Sequence, residues 1–398
     1  MLFMNATRQG LTPALVMLMS VATGLCVASN YYVQPLLNTI AQQFDLSVSL
    51  AGFIVTTAQL GYACGLLLLV PLGDRFERRS LIVTMILLAA TGMVIIALSH
   101  TFIFLLLGTV MTGLFSVAAQ ILVPLAATLA EPERRGKIVG TVMSGLLLGI
   151  LLARTVAGGL AQLGGWRTVY WTASLLMVIM ALALWRSLPR VKQSAPMSYP
   201  QLLASIFRLY AGNRVIRTRA WTGCLSFANF SLLWTSMAFL LSGAPYHFSE
   251  GKIGLLGLVG AAGALAARQA GSLADKGKAK LTTRLGLLLM LLSWAAIAWG
   301  AEQLVPLIVG ILLLDLAVQA VHITNQSVIY AQMPEARNRL NAGYMTSYFI
   351  GGAAGSLLSA TAYHLAGWYG VCIAGALLTL VNLLIWAGGS RFEPEKIN

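Results

Sequence analysis

Apolar residues in this chain are gathered into twelve segments separated by polar connections. Most segments are close to the length of about twenty residues that an α-helix needs to cross the hydrocarbon core of a bilayer. The pattern therefore predicts twelve transmembrane helices, numbered 1 to 12 in chain order. Their expected limits are 11–34, 48–72, 80–99, 103–126, 137–161, 168–186, 219–242, 252–273, 283–300, 304–327, 340–363 and 368–388.

Composition excludes the two main alternatives to a helical membrane protein. Of the 398 residues, 58% are hydrophobic and 10% are charged, whereas a soluble chain is roughly half apolar and a quarter charged. A membrane β-barrel would alternate apolar and polar residues in segments of about ten. The expected fold class is an all-α polytopic membrane protein.

The net charge of +14 gives the predicted helices an orientation. Lys and Arg cluster in alternate loops, apart from Arg154, Arg167, Lys252 and Arg268. Because cytoplasmic loops of membrane proteins retain Lys and Arg, both termini are expected on the cytoplasmic side of a bacterial inner membrane. The positive charge is then a topological signal, and no nucleic-acid partner is expected.

Two pairs of landmarks indicate that the chain is an internal repeat. Asp74 in the loop after helix 2 matches Asp275 in the loop after helix 8, 201 residues later. Trp166 before helix 6 matches Trp368 before helix 12, 202 residues later. The predicted organisation is an N-terminal six-helix bundle (1–187), a cytoplasmic linker (188–218) and a C-terminal six-helix bundle (219–398). Two such halves enclose a central site that is exposed alternately to each side.

The loop sequences resemble the major facilitator superfamily over the whole chain. The stretch LGDRFERR at 72–79 resembles the family signature between helices 2 and 3, and GSLADKG at 271–277 resembles its second copy. Val70 and Glu77 stand where glycines are usual in that signature. The region from Asn325 into helix 11 is similar to one bacterial efflux-type branch. The resemblance implies two pseudo-symmetric six-helix bundles and a secondary transporter. The fold does not require more than one chain, so a monomer is expected, although the sequence alone leaves the oligomeric state open.

The same resemblance assigns a gating role to the two loops. The family's loop is thought to hold the halves together on the cytoplasmic side. Exposed ion pairs and charge–dipole contacts of this kind contribute about 0.3–1 kcal/mol each, enough to bias a conformational equilibrium. The candidate gating residues are Asp74, Arg75, Arg78, Arg79, Asp275 and Lys276.

Polar residues recur at helical spacing inside four predicted helices, and these are the helices that line the family's cavity. Polar groups are costly in hydrocarbon, so they are expected to face the bundle interior. Helix 10 has the clearest stripe, at spacings of 4, 7 and 11 residues from Asp315. The candidate cavity residues are Asn30, Tyr31 and Gln34 in helix 1, Gln120 in helix 4, Asn229 and Trp234 in helix 7, and Asp315, Gln319, His322, Asn325 and Gln326 in helix 10.

Asp315 and Arg154 are the acid and the base predicted to lie deepest in the membrane. Asp315 can exchange a proton alone or in a relay with His322, whose side chain ordinarily titrates near neutral pH. It can also bind a cationic or hydrogen-bonding substrate. Arg154 in helix 5 replaces part of the family's antiporter signature, G-x-x-x-G-P-x-x-G-G. Two roles stay open for it: binding an anionic substrate group, and a structural ion pair with Asp315.

These observations predict a secondary active transporter of small organic solutes, with proton-coupled efflux as the expected mode. Helix 4 has Thr109 where proton-coupled drug exporters usually have an arginine, so coupling falls to Asp315, His322 and Arg154. Uptake of a metabolite, facilitated diffusion and a sensor without transport are the alternatives. No phosphate-binding loop or catalytic motif is present. An enzyme, a cofactor and a metal are therefore not expected, and the expected partners are the small-molecule substrate, protons and the lipid bilayer.

Overall fold

The computed structural model describes five stretches of the chain, residues 11–131, 134–191, 198–266, 277–333 and 336–392. Every regular element within them is a helix. The membrane helices are numbered α1 to α12 in the predicted order. Their bounds are Pro13–Ala28 (α1), Val48–Leu68 (α2), Arg78–Leu98 (α3), Phe102–Phe115 with Ala118–Leu129 (α4), Arg135–Gly164 (α5), Trp166–Ser187 (α6), Arg214–Ser242 (α7), Glu250–Ala266 (α8), Ala279–Trp299 (α9) and Leu304–Gln332 (α10). The run Arg337–Gly389 contains α11 (337–365) and α12 (368–389), which meet at non-helical residues Ala366 and Gly367.

The helices are long and apolar enough to account for the predicted crossings. Within the described residues, nine helical stretches reach at least 18 residues with the hydropathy of a membrane span, and one of them holds both α11 and α12. The two remaining crossings are α1 with 16 residues and α8 with 17 described residues. The expected all-α fold of two six-helix bundles is confirmed.

The first crossing is not the single helix that was predicted over 11–34. α1 begins at the N-cap Thr12, with Pro13 in its first turn, and ends at Ala28. Tight turns follow as far as Leu36, and a short helix, Leu37–Gln43, completes the crossing. Pro35 contributes to the break because it has no N–H for an α-helical hydrogen bond. The break places the candidate residues Asn30, Tyr31 and Gln34 on an irregular, buried segment.

The repeat is visible in the backbone conformation as well as in the sequence. Gly165 and Gly367 have φ values of 81° and 61°, and each directly precedes the tryptophan that the repeat aligns. Glycine adopts this left-handed conformation without a Cβ clash. The Trp166 indole donates to the Gln43 amide oxygen, and the Trp368 indole donates to the Ile297 carbonyl. Both halves therefore enter their last helix through the same turn.

The predicted linker contains a helix, Tyr199–Gly212, which bridges the two halves. Its buried face includes Leu202 and Ile206. The Tyr199 hydroxyl donates to the Leu68 carbonyl at the end of α2, and the Tyr210 hydroxyl donates to the Leu340 carbonyl at the start of α11, each at 2.6 Å. This linker helix and the two ends of the described chain all lie on the same side of the bundle. That side is called the terminal side.

The halves pack against each other away from the terminal side. α2 and α11 run antiparallel, and the Thr56 and Ser356 hydroxyls lie 2.7 Å apart between them. The Thr39 hydroxyl donates to the Glu250 carboxylate across the halves on the opposite side. The Gly158 and Gly254 backbones bring α5 and α8 close together in the same region, because a Cβ at either would collide with the other helix.

On the terminal side, a cavity separates parts of the two halves. Its first-half wall includes Leu66, Val70 and Gln120, and its second-half wall includes Asn341 and Ala342. The molecule is therefore closed on the opposite side and contains a space between the halves on the terminal side.

Candidate functional site

Arg154 lies at the boundary of the two halves, with only 3% of its surface exposed. Its Nε donates a 2.6 Å hydrogen bond to Gln34 Oε1 in the broken segment after α1. Its guanidinium carbon lies 4.0 Å from the ring centroid of Trp234, 5.0 Å from that of Tyr31 and 5.1 Å from that of Phe230. Arg154 on α5 thus touches the first half through Tyr31 and Gln34, and α7 of the second half through two aromatic rings.

Trp234 connects Arg154 to the buried acid Asp315. The Trp234 ring packs on the guanidinium, and its indole Nε1 donates to Asp315 Oδ1 at 3.3 Å. Asp315 is 3% exposed, and the backbone of Gly260 on α8 leaves room for its carboxylate. The direct ion pair left open by the sequence is not formed, because no nitrogen of Arg154 lies within 4.0 Å of an Asp315 oxygen. The residues Tyr31, Gln34, Arg154, Trp234 and Asp315 are called the central site.

Several polar atoms of the central site, and of Asn30 in the broken segment that contains Tyr31 and Gln34, are buried without a hydrogen-bond partner among the described residues. They are Arg154 Nη2, Gln34 Nε2, and both Nδ2 and Oδ1 of Asn30. Buried polar groups in proteins are nearly always paired, and an exception requires a physical reason. A polar ligand bound between these atoms would satisfy them.

A chain of aromatic rings leads from the central site to His322 on α10. Ring centroids are 6.3 Å apart between Trp234 and Phe230, 5.3 Å between Phe230 and Phe227, 4.1 Å between Phe227 and Tyr348, and 4.5 Å between Tyr348 and His322. These separations are typical of packed aromatic pairs. All five side chains belong to the second half, and Phe230 also packs against Tyr31 of the first half at 6.3 Å, so the boundary of the halves at the central site is aromatic as well as polar.

His322 belongs to a second polar network, which lies within the second half. Its Nδ1 is 3.0 Å from the Tyr344 hydroxyl, to which Asn325 Nδ2 also donates at 3.4 Å. Arg219 Nη1 donates to Asn325 Oδ1 at 3.0 Å and to Thr283 Oγ1 at 2.6 Å. Arg219 is fully buried, and it lies in the second turn of α7, near the terminal-side end of that helix. No hydrogen bond within the described residues joins His322 to Asp315.

The other candidate cavity residues occupy different places. Gln120 Nε2 donates to the Tyr62 hydroxyl at 3.4 Å and lies at the terminal-side cavity. The side-chain oxygen Oδ1 of Asn229 accepts hydrogen bonds from Trp294 Nε1 and Thr379 Oγ1, each at 2.9 Å, so Asn229 lies in the core of the second half, away from the central site.

Gln319 and Gln326 are both half-buried on α10. Gln326 Nε2 approaches Met345 Sδ at 3.9 Å, so this part of the α10 stripe faces α11. The stripe is therefore divided among three neighbouring helices, since Asp315 faces α7 and α8.

The loop between α2 and α3 is held by the buried side chain of Arg78. Its Nη2 contacts Asp74 Oδ1 at 3.4 Å, and its Nε donates to the Gly73 carbonyl at 3.0 Å. Arg79 Nη1 donates to the Leu188 carbonyl at 3.4 Å, and Arg75 is exposed. The second-copy residues Asp275 and Lys276 lie outside the described residues.

Glu77, one of the two departures from the family's loop signature, caps α3. Its carboxylate accepts hydrogen bonds from the amides of Arg79 at 2.8 Å and Ser80 at 3.0 Å. Burial acts to raise the pKa of Glu77, but the hydrogen bonds from Ser80 and Arg79 outweigh it and the pKa lies below its usual value. At the position where the family signature usually has a glycine, this chain therefore has an acid whose side chain caps the first turn of α3.

Glu77→Ala is expected to destabilise the protein by about 1 kcal/mol, the usual effect of losing an N-cap. Because the pKa is lowered in the folded state, the contribution is complete above the pKa of the unfolded carboxyl. It is lost as the pH falls through the lower folded pKa. Unfolding by detergent titration at several pH values measures this, with the exposed Glu302→Ala as the control. An equal difference at neutral and acidic pH would rule out the cap.

Two pseudo-symmetric six-helix bundles around a central polar site define a membrane transporter. The model of the Major Facilitator Superfamily matches residues 19–332 and 220–397, and the chain belongs to this family. It is therefore a multi-pass membrane transporter and not an enzyme.

Relatives and solved structures agree with this assignment. The chain is 67% identical over 386 residues to the uncharacterized transporter YgaY of Escherichia coli O157:H7, covering 97% of this chain and 98% of the relative. It is 26% identical to the inner membrane transport protein YnfM of Escherichia coli K12, covering 89% of this chain and 85% of the relative. A bacterial homologue of the human lysosomal transporter Spinster, in an inward-facing and occupied conformation, shares the fold with a TM-score of 0.79 and 17% identity, over 96% of this chain and 98% of that one.

Proposed function

We propose that the protein is a proton-coupled secondary active transporter that moves a small organic solute by alternating access, with Asp315 as the proton-binding group. The observation that carries this is the position of Asp315. It is a buried acid on the second half, hydrogen-bonded to the tryptophan on which Arg154 of the first half packs. Ionisable residues at this depth in a membrane are expensive and are typically functional.

Protonation of Asp315 changes the interaction between the halves. The ionised carboxylate and the Arg154 guanidinium attract each other across their boundary. A proton bound to an Asp315 oxygen removes this attraction and weakens the acceptor for the Trp234 indole. The protonated and ionised forms therefore favour different arrangements of α5 against α7 and α10, as two-state coupling requires.

The two halves are packed together on the opposite side and separated by a cavity on the terminal side, and the transport cycle must reverse this arrangement. The packed α2–α11 and α5–α8 contacts must separate for the solute to pass the opposite side, and the cavity behind Gln120 must close on the terminal side. The Asp74 loop, the second-copy loop with Asp275 and the linker helix are proposed to govern that closure. We propose that the terminal side faces the cytoplasm across a bacterial inner membrane, because Lys and Arg are concentrated on the terminal side.

Export is the proposed direction, from the likeness of the α10–α11 region to an efflux-type branch. Uptake together with a proton is the second candidate, and a specific observation favours it. Arg154 keeps one buried nitrogen free for an anion, and an anion beside Asp315 favours the protonated acid. One chain supplies every residue of the central site, which fits a monomeric transporter.

The test is transport by cells that express the protein and are given a panel of dyes, drugs, sugars and aromatic acids. Accumulation is followed with and without a protonophore, in the wild type, in Asp315→Asn and in the exposed acid variant Asp45→Asn. At least one compound is expected to move against its gradient only while the proton gradient lasts. Asp315→Asn should lose this uphill movement, and Asp45→Asn should retain it.

Two results would contradict the proposal. Uphill transport that persists unchanged in Asp315→Asn would remove Asp315 from the coupling step. Stabilisation of the protein by a compound without flux of any compound would instead identify a sensor. The sign of the concentration difference decides between export and uptake.

A further inference from the structure

One guanidinium nitrogen of Arg154, Nη2, donates no hydrogen bond to any described residue. Its Nε is engaged by Gln34, and aromatic rings lie within about 5 Å of its guanidinium carbon, while Nη2 is buried with no partner among the described residues. Aromatic rings interact with the charge but are only weak acceptors for an N–H donor. The unpartnered amides of Asn30 and Gln34 lie on the same broken segment that contacts Arg154.

We propose that the central site binds an organic anion that carries an aromatic ring. Its carboxylate, or an equivalent planar oxyanion, accepts from Arg154 Nη2 and from the Gln34 and Asn30 amides, and its ring lies among Tyr31 and Phe230. This rests on the proposed transport function and names its substrate class. Among side chains, the guanidinium of arginine fits a carboxylate best, because its N–H donors lie in one plane and can reach both carboxylate oxygens.

The neighbouring contacts favour an anion over the other two cargo classes. A neutral polar cargo would leave the buried charge of Arg154 without a counter-ion, since Asp315 stays beyond ion-pair distance. A cation would have to bind Asp315 while facing Arg154 across Trp234. An anion gives Arg154 a counter-charge and at the same time gives the orphan amide donors an acceptor.

The charge around Asp315 then links cargo to proton. The titratable groups facing Asp315 are Arg154 from α5, Tyr31 from the segment after α1 and Tyr348 from α11. α7 faces it with Trp234, and α8 faces it with the backbone of Gly260. An anion held by Arg154 offsets the longer-range attraction of the guanidinium for Asp315 and places a second negative charge nearby, so it favours the carboxylic acid over the carboxylate.

Reciprocity follows from this arrangement. If anion binding promotes protonation of Asp315, protonation of Asp315 promotes anion binding by the same factor. The anion and the proton then occupy the site together and cross in the same direction, which corresponds to the second candidate above, uptake together with a proton, and not to export. A cationic cargo would compete with the proton and give exchange instead.

The test uses the purified full chain in lipid nanodiscs and probes that differ in charge on one ring. The panel is benzoate, 2-naphthoate and anthracene-2-carboxylate, with the corresponding amides and arylmethylamines. Thermal stabilisation and calorimetry measure binding. At least one carboxylate is expected to bind about tenfold or more tightly than its amide and amine, because the amide and amine lack the charged partner for Arg154. At neutral pH in weak buffer, its binding should take up protons.

Variants separate the anchor from the fold. Arg154→Gln is expected to weaken carboxylate binding about tenfold or more, and Gln34→Leu to weaken it less while leaving the charge in place. Arg284→Gln, at an exposed position on α9, is the matched control and should bind as the wild type does. If Arg154→Gln does not fold, Arg154→Lys keeps the charge without the planar donors and should still show weakened binding.

The outcomes distinguish this inference from the proposed function. Equal binding of carboxylate, amide and amine, tighter binding of the amine with proton release, or no binding by any carboxylate overturns the anion assignment. Proton-driven transport by the cells would survive each of these results. Conversely, carboxylate binding without proton uptake, unchanged by Asp315→Asn, supports the anchor while contradicting coupling through Asp315.

Discussion

Transport is expected to stop completely in the Thr56→Cys/Ser356→Cys variant under oxidising conditions and to return on reduction. The two hydroxyls are 2.7 Å apart between α2 and α11, so cysteines there can be joined after small side-chain adjustments. The disulfide would fix the two halves together on the side that must open in alternating access. Flux of the compound identified in the cell panel, before and after dithiothreitol, measures the effect in a background without Cys26, Cys64, Cys224 and Cys372.

A second cysteine pair provides the control for this experiment. Ser236 and Ser359 have hydroxyls 2.5 Å apart, but both lie within the second half. A disulfide in the Ser236→Cys/Ser359→Cys variant should leave transport close to that of its cysteine-free parent. Unimpaired flux through the fully oxidised Thr56→Cys/Ser356→Cys variant would show that α2 and α11 do not separate during transport.

Trp234→Phe is expected to reduce proton-coupled transport about tenfold or more while the protein stays folded. Phenylalanine keeps an aromatic ring near Arg154 but has no N–H for Asp315 Oδ1. A hydrogen bond to a charged group contributes about 1.5–3 kcal/mol, which corresponds to a factor of roughly ten to a hundred. Initial rates at several pH values measure the loss, and the pH dependence should also change.

The matched control for this substitution is Trp221→Phe, because Trp221 is 57% exposed on the same helix. It should transport at the wild-type rate. An unchanged rate and pH profile in Trp234→Phe would mean that Arg154 and Asp315 do not communicate through the indole.

Most of the fold could be predicted because membrane helices are defined by length and hydropathy. The twelve segments, the repeat and the turn before Trp166 and Trp368 all follow from local sequence. The start of α7 was placed at 219 instead of Arg214, because basic residues were interpreted as loop. Asn213 caps the helix at that point, and its side chain accepts from the amides of Val215 and Ile216. The linker helix was missed because its apolar face is too short to resemble a span.

The central site could be predicted in part from helical spacing. Tyr31, Gln34, Arg154, Trp234 and Asp315 were all candidates, and the structure brings them together. Their mutual arrangement could not be predicted, since periodicity places a residue on a face of a helix without specifying the partner.

Some residues of the site region were missed for identifiable reasons. Phe230 lies one turn before Trp234, so spacing could have found it. Arg219 is the first residue of the predicted helix 7 (219–242), and its position at the edge of an apolar segment kept it out of the candidates. Gly260 contributes because its missing side chain leaves room for the Asp315 carboxylate. Nothing in the sequence indicates that a glycine is needed at this position. Asn229 shares a helix with Trp234 but faces α9 and α12, where Trp294 and Thr379 bind it.

The break after α1 has a consequence for the order of assembly. A helix of 16 residues rises only about 24 Å, less than the hydrocarbon thickness of about 30 Å. An irregular backbone at that depth is tolerated only where protein covers it. Here the cover comes from Arg154 on α5 and Phe230 on α7, which are synthesised later. The first helix to enter the membrane is therefore expected to reach its final shape only after the seventh has been inserted, and the site is expected to be among the last parts of the molecule to form.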